Sequence, residues 1–299
     1  MILSQIELKI IDVKSNSLLY DEKSFDERAD AIDFLEFHIL DLIDSLRSTA
    51  SDHEKLTELH RQAEEMKSQL EEIDNKLFQR LQQEIRQGKY NGKAFKWLVS
   101  EHVSFERNSD GEEGYDNLDI FINRLLSLQH MPEQSRPLEP EMVFYQKTPA
   151  RIIFELVKEG GFKKDDIFFD IGSGLGQVAI LANLLADIRT VGVEFDPAFC
   201  KYSEECAAML GLQKVTFINT DARKADYSLG TVFFMYTPFR GKMLQDVLEV
   251  LRKESLKREI YIITYGPCTA EVAEQGWLHA TSGAEFRINK LMFFRSEPG

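Results

Sequence analysis

The sequence predicts an α/β chain in two parts, a mainly helical N-terminal domain over residues 1–130 and a parallel-sheet domain over residues 131–299. Three observations carry this expectation. Apolar residues step alternately three and four apart from Leu56 to Leu77, the period of a helix seam. Short β-rich runs alternate with helical stretches after residue 150, as in strands joined by crossover helices. Between the first run and its helix lies Asp170-Ile171-Gly172-Ser173-Gly174-Leu175-Gly176-Gln177, an acid followed by three glycines at alternate positions.

The bulk numbers bound the answer. With 299 residues the chain is long enough for two domains with cores of their own. Its 43% hydrophobic and 29% charged content is ordinary for a globular protein. No apolar run approaches the roughly 20 residues of a membrane span, and Met1–Ile10 does not read as a signal peptide. Cys200, Cys206 and Cys268 have neither metal-ligand nor disulfide-frame spacing, so free thiols, a cytoplasmic location and no metal are expected. The net charge is −14, and residues 1–130 carry 27 Asp and Glu against 16 Lys and Arg. An acidic surface repels phosphate backbones, which disfavours nucleic acid as a partner.

In the N-terminal part, Ile6, Leu8 and Ile10 alternate with polar residues and predict a short strand. Ser24-Phe25-Asp26-Glu27 reads as a capping box opening a helix with Ile32, Leu35, Ile39, Leu42 and Leu46 on one face. Ser51-Asp52-His53-Glu54 reads as a second box, ahead of Leu56, Leu59, Ala63, Met66, Leu70, Ile73 and Leu77. Leu81 and Ile85 continue that seam. Two capped helices joined by a turn at 48–51 predict an antiparallel coiled-coil hairpin. The pair either buries its own seam or serves as a dimerisation arm. Helices are further expected over Lys93–Val103 and Asp116–His130. Between them, Arg107–Gly114 reads as a solvated acidic loop, and Pro132, Pro137 and Pro140 mark a linker.

In the second part, strands are predicted at Ile167–Ile171, Thr190–Glu194, Val215–Asn219, Thr231–Met235 and Ile260–Tyr265. Helices are predicted at Arg151–Lys158, Gln177–Ala186, Ala198–Leu210 and Lys242–Leu251. Trp277–Ala280 and Phe286–Arg295 would supply an antiparallel edge.

Ligands of an open α/β sheet sit at the carboxyl ends of its strands, and three successive strands end in acids: Asp170, Glu194 and Asp221. The glycine spacing separates two ligands. A dinucleotide loop, G-x-G-x-x-G, would put its third glycine at 177, where this chain has Gln177. The D-x-G-x-G-x-G form is that of Rossmann-like enzymes using S-adenosylmethionine (SAM). Glu194 would then accept from the two ribose hydroxyls and Asp221 from the adenine amino group, with the Ala222 N–H facing the ring. Asp170 would orient the methionine ammonium. Upstream, Tyr145, Lys147 and Thr148 would meet the carboxylate, although Thr148 and Pro149 equally fit a helix start. After the fourth strand, Tyr236 and Thr237 offer polar atoms for a methyl acceptor, and Phe239 an aromatic face.

Asp170–Val178, D-I-G-S-G-L-G-Q-V, resembles the D-L-G-S-G-V-G-Q-V of the non-SET histone lysine methyltransferases, the disruptor-of-telomeric-silencing family. Phe144–Thr148 is similar to its V-Y-G-E-T loop, and the V-G-V-E ending at Glu194 to its Y-G-V-E. The resemblance spans roughly residues 140–240. It implies SAM contacts from Tyr145, Thr148, Asp170, Gln177, Glu194 and Asp221. Three positions depart from the pattern: Lys147 replaces a Glu, Ala222 replaces an aromatic, and Tyr236-Thr237-Pro238-Phe239 stands where the family has V-N-N-F.

The expectation is therefore a class I SAM-dependent methyltransferase. Asp170, Gly172, Gly174, Gly176, Gln177, Glu194, Asp221 and Ala222, with Tyr145 and Thr148, would form the cofactor site. Tyr236 and Thr237 would serve catalysis. The acceptor is a protein lysine or a small molecule. The alternatives are a non-catalytic SAM-binding scaffold acting through the helical arm and, more weakly, an NAD-dependent oxidoreductase.

Overall fold

A computed structural model describes residues 2–48, 52–105, 115–127, 131–281 and 287–297. The acidic loop expected at Arg107–Gly114 lies outside these residues, as do Ser51 and Phe286. The chain divides into two compact units, Met1–Gln83 with Trp97–Leu125, and Glu84–Lys96 with Leu126–Gly299.

The first unit is helical. Its opening segment is a helix, α1 (Ile2–Ser15), in place of the expected strand. Ile6 and Ile10 are buried while Leu8 is 60% exposed, so spacing by four, rather than by two, decides the face. A continuous helical stretch follows as α2 (Phe25–Asp33), a π-helical turn (Phe34–Leu40) and α3 (Asp41–Leu46). Ser24 sits at the N-cap position but makes no side-chain capping bond. The π turn holds about one more residue per turn than an α-helix. The face therefore drifts: Leu35 and Ile39 are buried as expected, but Ile43 is buried where Leu42 was expected.

Helix α4 (His53–Arg86) carries the seam, and its start is capped by Asp52, whose carboxylate accepts the Lys55 N–H at 3.0 Å. Leu56, Leu59, Ala63, Met66 and Leu70 pack into one core with Ile6, Ile10, Leu35, Ile39 and Ile43. The seam is thus buried inside its own unit. Short helices α5 (Lys93–Ser100) and α6 (Asn117–Leu125) follow. Beneath α6, Phe25, Phe78 and Phe121 meet edge to face, with ring centroids 5.1–5.6 Å apart. Beside them lies a fully buried ion pair, Arg28 Nε to Asp74 Oδ1 at 2.7 Å.

The second unit is a seven-stranded sheet in the order β3-β2-β1-β4-β5-β7-β6. Its elements run α7 (Ala150–Glu159), β1 (Ile167–Ile171), α8 (Gln177–Ala186), β2 (Arg189–Glu194), α9 (Pro197–Met209) and β3 (Val215–Asn219). There follow β4 (Val232–Tyr236), α10 (Gly241–Ser255), β5 (Tyr261–Tyr265), α11 (Cys268–Ala273), β6 (Leu278–Ala280) and β7 (Met292–Ser296). The first five strands are parallel, and β7 runs antiparallel between β5 and β6. This is the Rossmann-like α/β sheet with an antiparallel edge that the sequence predicts. Strand order reverses between β1 and β4, which opens a crevice at their carboxyl ends. Alternate residues of β1, β4 and β5 pack with Val247, Leu248 and Leu251 of α10 into the main core. Segment 84–96 also belongs here: the Gly92 N–H donates to the Leu184 carbonyl at 2.7 Å. Among the described residues, no helix is long and apolar enough to cross a membrane.

Candidate active site

The crevice encloses a cavity of about 230 Å³ above the carboxyl ends of β1, β2 and β4. Its floor is the loop after β1. Gly172, Gly174 and Gly176 all hold positive φ, at +79°, +52° and +79°. At Gly174 a Cβ would lie 2.1 Å from the Tyr145 ring, so the absence of a side chain lets Tyr145 fold over the loop. Gly172 and Gly174 line the cavity. Gly176 is not among the lining residues; a Cβ there would strike Phe217 and Ser203, so its lack of a side chain serves packing behind the loop.

The three strand-end acids all line the cavity but live in different fields. Asp170 is buried at the end of β1. Burial, then the neighbouring charge of Glu194, pushes its carboxyl up to about 8 against an opposing hydrogen bond from the Ala179 backbone. Glu194 accepts the Gly174 N–H and the Asp196 N–H, each at 2.7 Å, so it ties the glycine loop to the end of β2. Its carboxyl is also raised by burial. Asp221 is held below the ordinary carboxylate range, chiefly by hydrogen bonds from Arg223. Arg223 Nε reaches both Asp221 oxygens at 2.9 and 3.1 Å. The adenine role expected for Asp221 therefore has to be shared with a guanidinium.

Four buried atoms on three lining residues mark the cavity as a polar ligand site. Asp170 Oδ2, Ser173 Oγ and both amide atoms of Gln177 are buried without a protein hydrogen-bond partner. Such atoms cost stability unless something satisfies them, and here all of them belong to residues that line one cavity. The donor and acceptor set fits an amino-acid ammonium and carboxylate together with a ribose diol. Glu194 and Gln177 would hold the diol and neighbouring groups, and Asp170 the ammonium.

A strap crosses the mouth. Residues 132–140, expected to be a linker, contribute Gln134 and Leu138 to the lining, and the chain that follows adds Met142 and, from the loop expected at the ligand, Tyr145 and Thr148. Asp196 anchors one end, accepting from the Ser135 N–H, the Ser135 hydroxyl and the Arg136 N–H at 2.7–2.8 Å. It also caps α9 through the Ala198 N–H at 2.8 Å. Burial works against the Asp196 charge, but these hydrogen bonds outweigh it and hold the carboxyl below its usual range. The signal was present in Asp196-Pro197, an N-cap followed by proline at the first helical position. Glu141 anchors the other end by accepting the Lys242 and Met243 N–H groups at 3.1 and 2.6 Å. Thr148 is buried against the cavity, and the N-cap of α7 is Pro149 instead. Lys147 is not among the lining residues.

The acceptor-side residues separate. Tyr236 lines the cavity with its ring tilted by 55° against that of Tyr265, centroids 4.9 Å apart, and burial raises its phenol. Thr237 also lines it, but its hydroxyl is engaged: it donates to the Tyr265 carbonyl at 3.3 Å and accepts the Cys268 N–H at 3.1 Å. With φ at +41°, an uncommon value for a β-branched residue, Thr237 shapes the turn rather than offering a free polar atom. Phe239 is 4% exposed and belongs largely to the core. Phe144, at 79% exposure, stands at the rim. Ala222, on the turn after Asp221, lines the base end. Among the described residues, no group of His, Cys, Asp and Glu is placed to hold a metal ion.

Residues 141–233 match the sequence model of the family described as histone methylation protein DOT1. Among solved structures, the chain is similar to an RNA methyltransferase from Salinibacter ruber in complex with S-adenosyl-L-homocysteine, with TM-score 0.42 and 21% identity over 51% of this chain and 94% of that one. It is also similar to a precorrin-6y C5,15-methyltransferase from Geobacter metallireducens, with TM-score 0.40 and 16% identity over 53% and 93%. A sheet with its crevice at the β1–β4 reversal, a glycine loop flanked by strand-end acids and the match over 141–233 together describe a class I SAM-dependent methyltransferase whose core is similar to that of the DOT1 histone methylation family.

Proposed function

We propose that this chain methylates a lysine side chain of a protein. The observation that carries the cofactor half is that Asp170, Ser173 and Gln177, each with a buried atom lacking a protein hydrogen-bond partner, line one cavity. When bound there, SAM supplies an electrophilic methyl group on a sulfonium. The acceptor half rests on the aromatic residues of the same cavity: Phe144, Phe234, Tyr236 and Phe239 line it. Such a channel suits the aliphatic stem of a lysine and favours its neutral amine by excluding water. Tyr236 is the polar group on that side with a hydroxyl available to orient the nitrogen. Alignment is the main contribution an enzyme makes to such a displacement. The DOT1 match supports the same acceptor class.

The test is incubation of the purified chain with methyl-labelled SAM and a lysate of its own source, followed by mass spectrometry of proteins and metabolites. Label on protein lysines is the expected result. Label confined to small molecules would refute the lysine reading. SAM binding without any labelled product would replace it with a SAM-binding scaffold.

A further inference from the structure

Arg223 was not part of any sequence motif, and it does not line the cavity. It nevertheless joins two things that do. Its Nε donates to Asp221 Oδ1 and Oδ2, and its terminal nitrogen donates to Asp221 Oδ2 at 2.7 Å. The same terminal nitrogen donates to Glu139 Oε2 at 2.8 Å. Glu139 lies on the strap, between the Asp196 anchor at Ser135–Arg136 and the Glu141 anchor on α10. Unlike those two fastenings, this central one is made only by side chains. It is also partly exposed, with side-chain exposures of 29% for Arg223 and 41% for Glu139.

A guanidinium fork fixes a carboxylate's plane, whereas a single point charge does not. The Arg223 backbone N–H also donates to Asp221 Oδ1, at 2.9 Å, and together these bonds hold Asp221 as an anion in a fixed plane at the cavity wall. We propose that Arg223 is a positioning residue that orients Asp221 toward the amino group of the cofactor's adenine and, through Glu139, latches the strap over the base. The inference rests on the SAM reading of the cavity. It adds to that reading a link between recognition of the base and closure of the strap.

The test uses the full chain and the variants R223Q, R223K and E139Q. The first readout needs no ligand: amide hydrogen exchange of residues 137–142 should accelerate in R223Q and E139Q. The second is the Kd for S-adenosylhomocysteine and for its inosine analogue, which carries a carbonyl in place of the amino group. Wild type should prefer the adenine form. R223Q should lose roughly tenfold of that preference, E139Q should retain it, and R223K should recover part of it. A role confined to folding would weaken both ligands equally, and that result overturns the positioning claim. Unchanged exchange in the strap overturns the latch. Wild-type protein that binds neither ligand overturns the SAM reading itself and the base recognition with it, while the exchange arm still judges the latch.

Discussion

Asp170 is the strongest lever on this site. In the ligand-free protein its carboxyl sits at about 8, raised first by burial and then by Glu194. A cationic group beside it favours the ionised form. At pH 6.5 the amine of SAM, an α-amino group of pKa about 7.7–8.0, is already charged, so Asp170 is the group left to change. Binding should then release about one proton at pH 6.5. At pH 7, one unit below its pKa, ionising Asp170 withholds about 1.4 kcal/mol, or about tenfold, from the affinity. Affinity should therefore fall about tenfold per unit as pH drops from 7.5 to 5.5. The assay is titration calorimetry at pH 6.5 in buffers of different ionisation enthalpy, where the slope of observed heat against buffer heat counts protons. Asp170→Asn should bind more weakly at pH 7.5 and lose the slope. A wild-type slope of zero would refute the reasoning. The ligand-free protein supplies an independent check. A carboxyl whose folded pKa is raised binds more protons folded than unfolded, so stability should fall as pH climbs from about 4 to about 8 and level off above.

Gly174→Ala should abolish ligand binding and lower stability by about 1–3 kcal/mol, because its Cβ meets the Tyr145 ring at 2.1 Å; chemical denaturation with a binding assay checks both. Tyr236→Phe should lower kcat by about ten- to a hundredfold while leaving cofactor Kd unchanged, and an equal loss in Kd would count against an acceptor-side role. Thr237→Val removes the acceptor for the Cys268 N–H. It should destabilise by about 1–2 kcal/mol and shift the melting temperature without a separate loss in kcat. Asp74→Ala leaves the buried Arg28 charge unpaired and should cost about 3–5 kcal/mol by denaturant titration.

The sheet was legible because its signals are local. β1 and β3 have the bounds their β-rich runs predict, and the loop between β1 and α8 follows from glycines that only a tight turn requires. The N-terminus was misread because Ile6 and Ile10 satisfy a period of two and a spacing of four alike, and a window that short cannot separate them. Leu42 and Ile43 exchanged roles because a π turn leaves no residue-type signature. In the site, Asp170, Glu194 and Asp221 could be found because strand ends place them. The strap could not be found that way. Glu139, Glu141 and Ser135 acquire their roles from partners 61 to 102 residues distant in sequence, and three prolines disguise the segment as a spacer. Thr237 was assigned to catalysis on its hydroxyl, and only the tertiary contacts to Tyr265 and Cys268 show that hydroxyl to be occupied.

Helix α4 passes from one compact unit into the other without a break, and its last turn and the following residues to Lys96 belong with the sheet. A fragment cut at the composition boundary near residue 130 would discard the strand of chain that lays Gly92 against Leu184 and Arg86 beside Gly211. Anyone seeking the smallest folded catalytic piece, or grafting this core elsewhere, should therefore supply 84–96 along with 126–299. In evolutionary terms, a recombination event that swapped only the contiguous C-terminal portion would arrive incomplete, so inheritance of the helical region with the core is favoured by the chain's own connectivity.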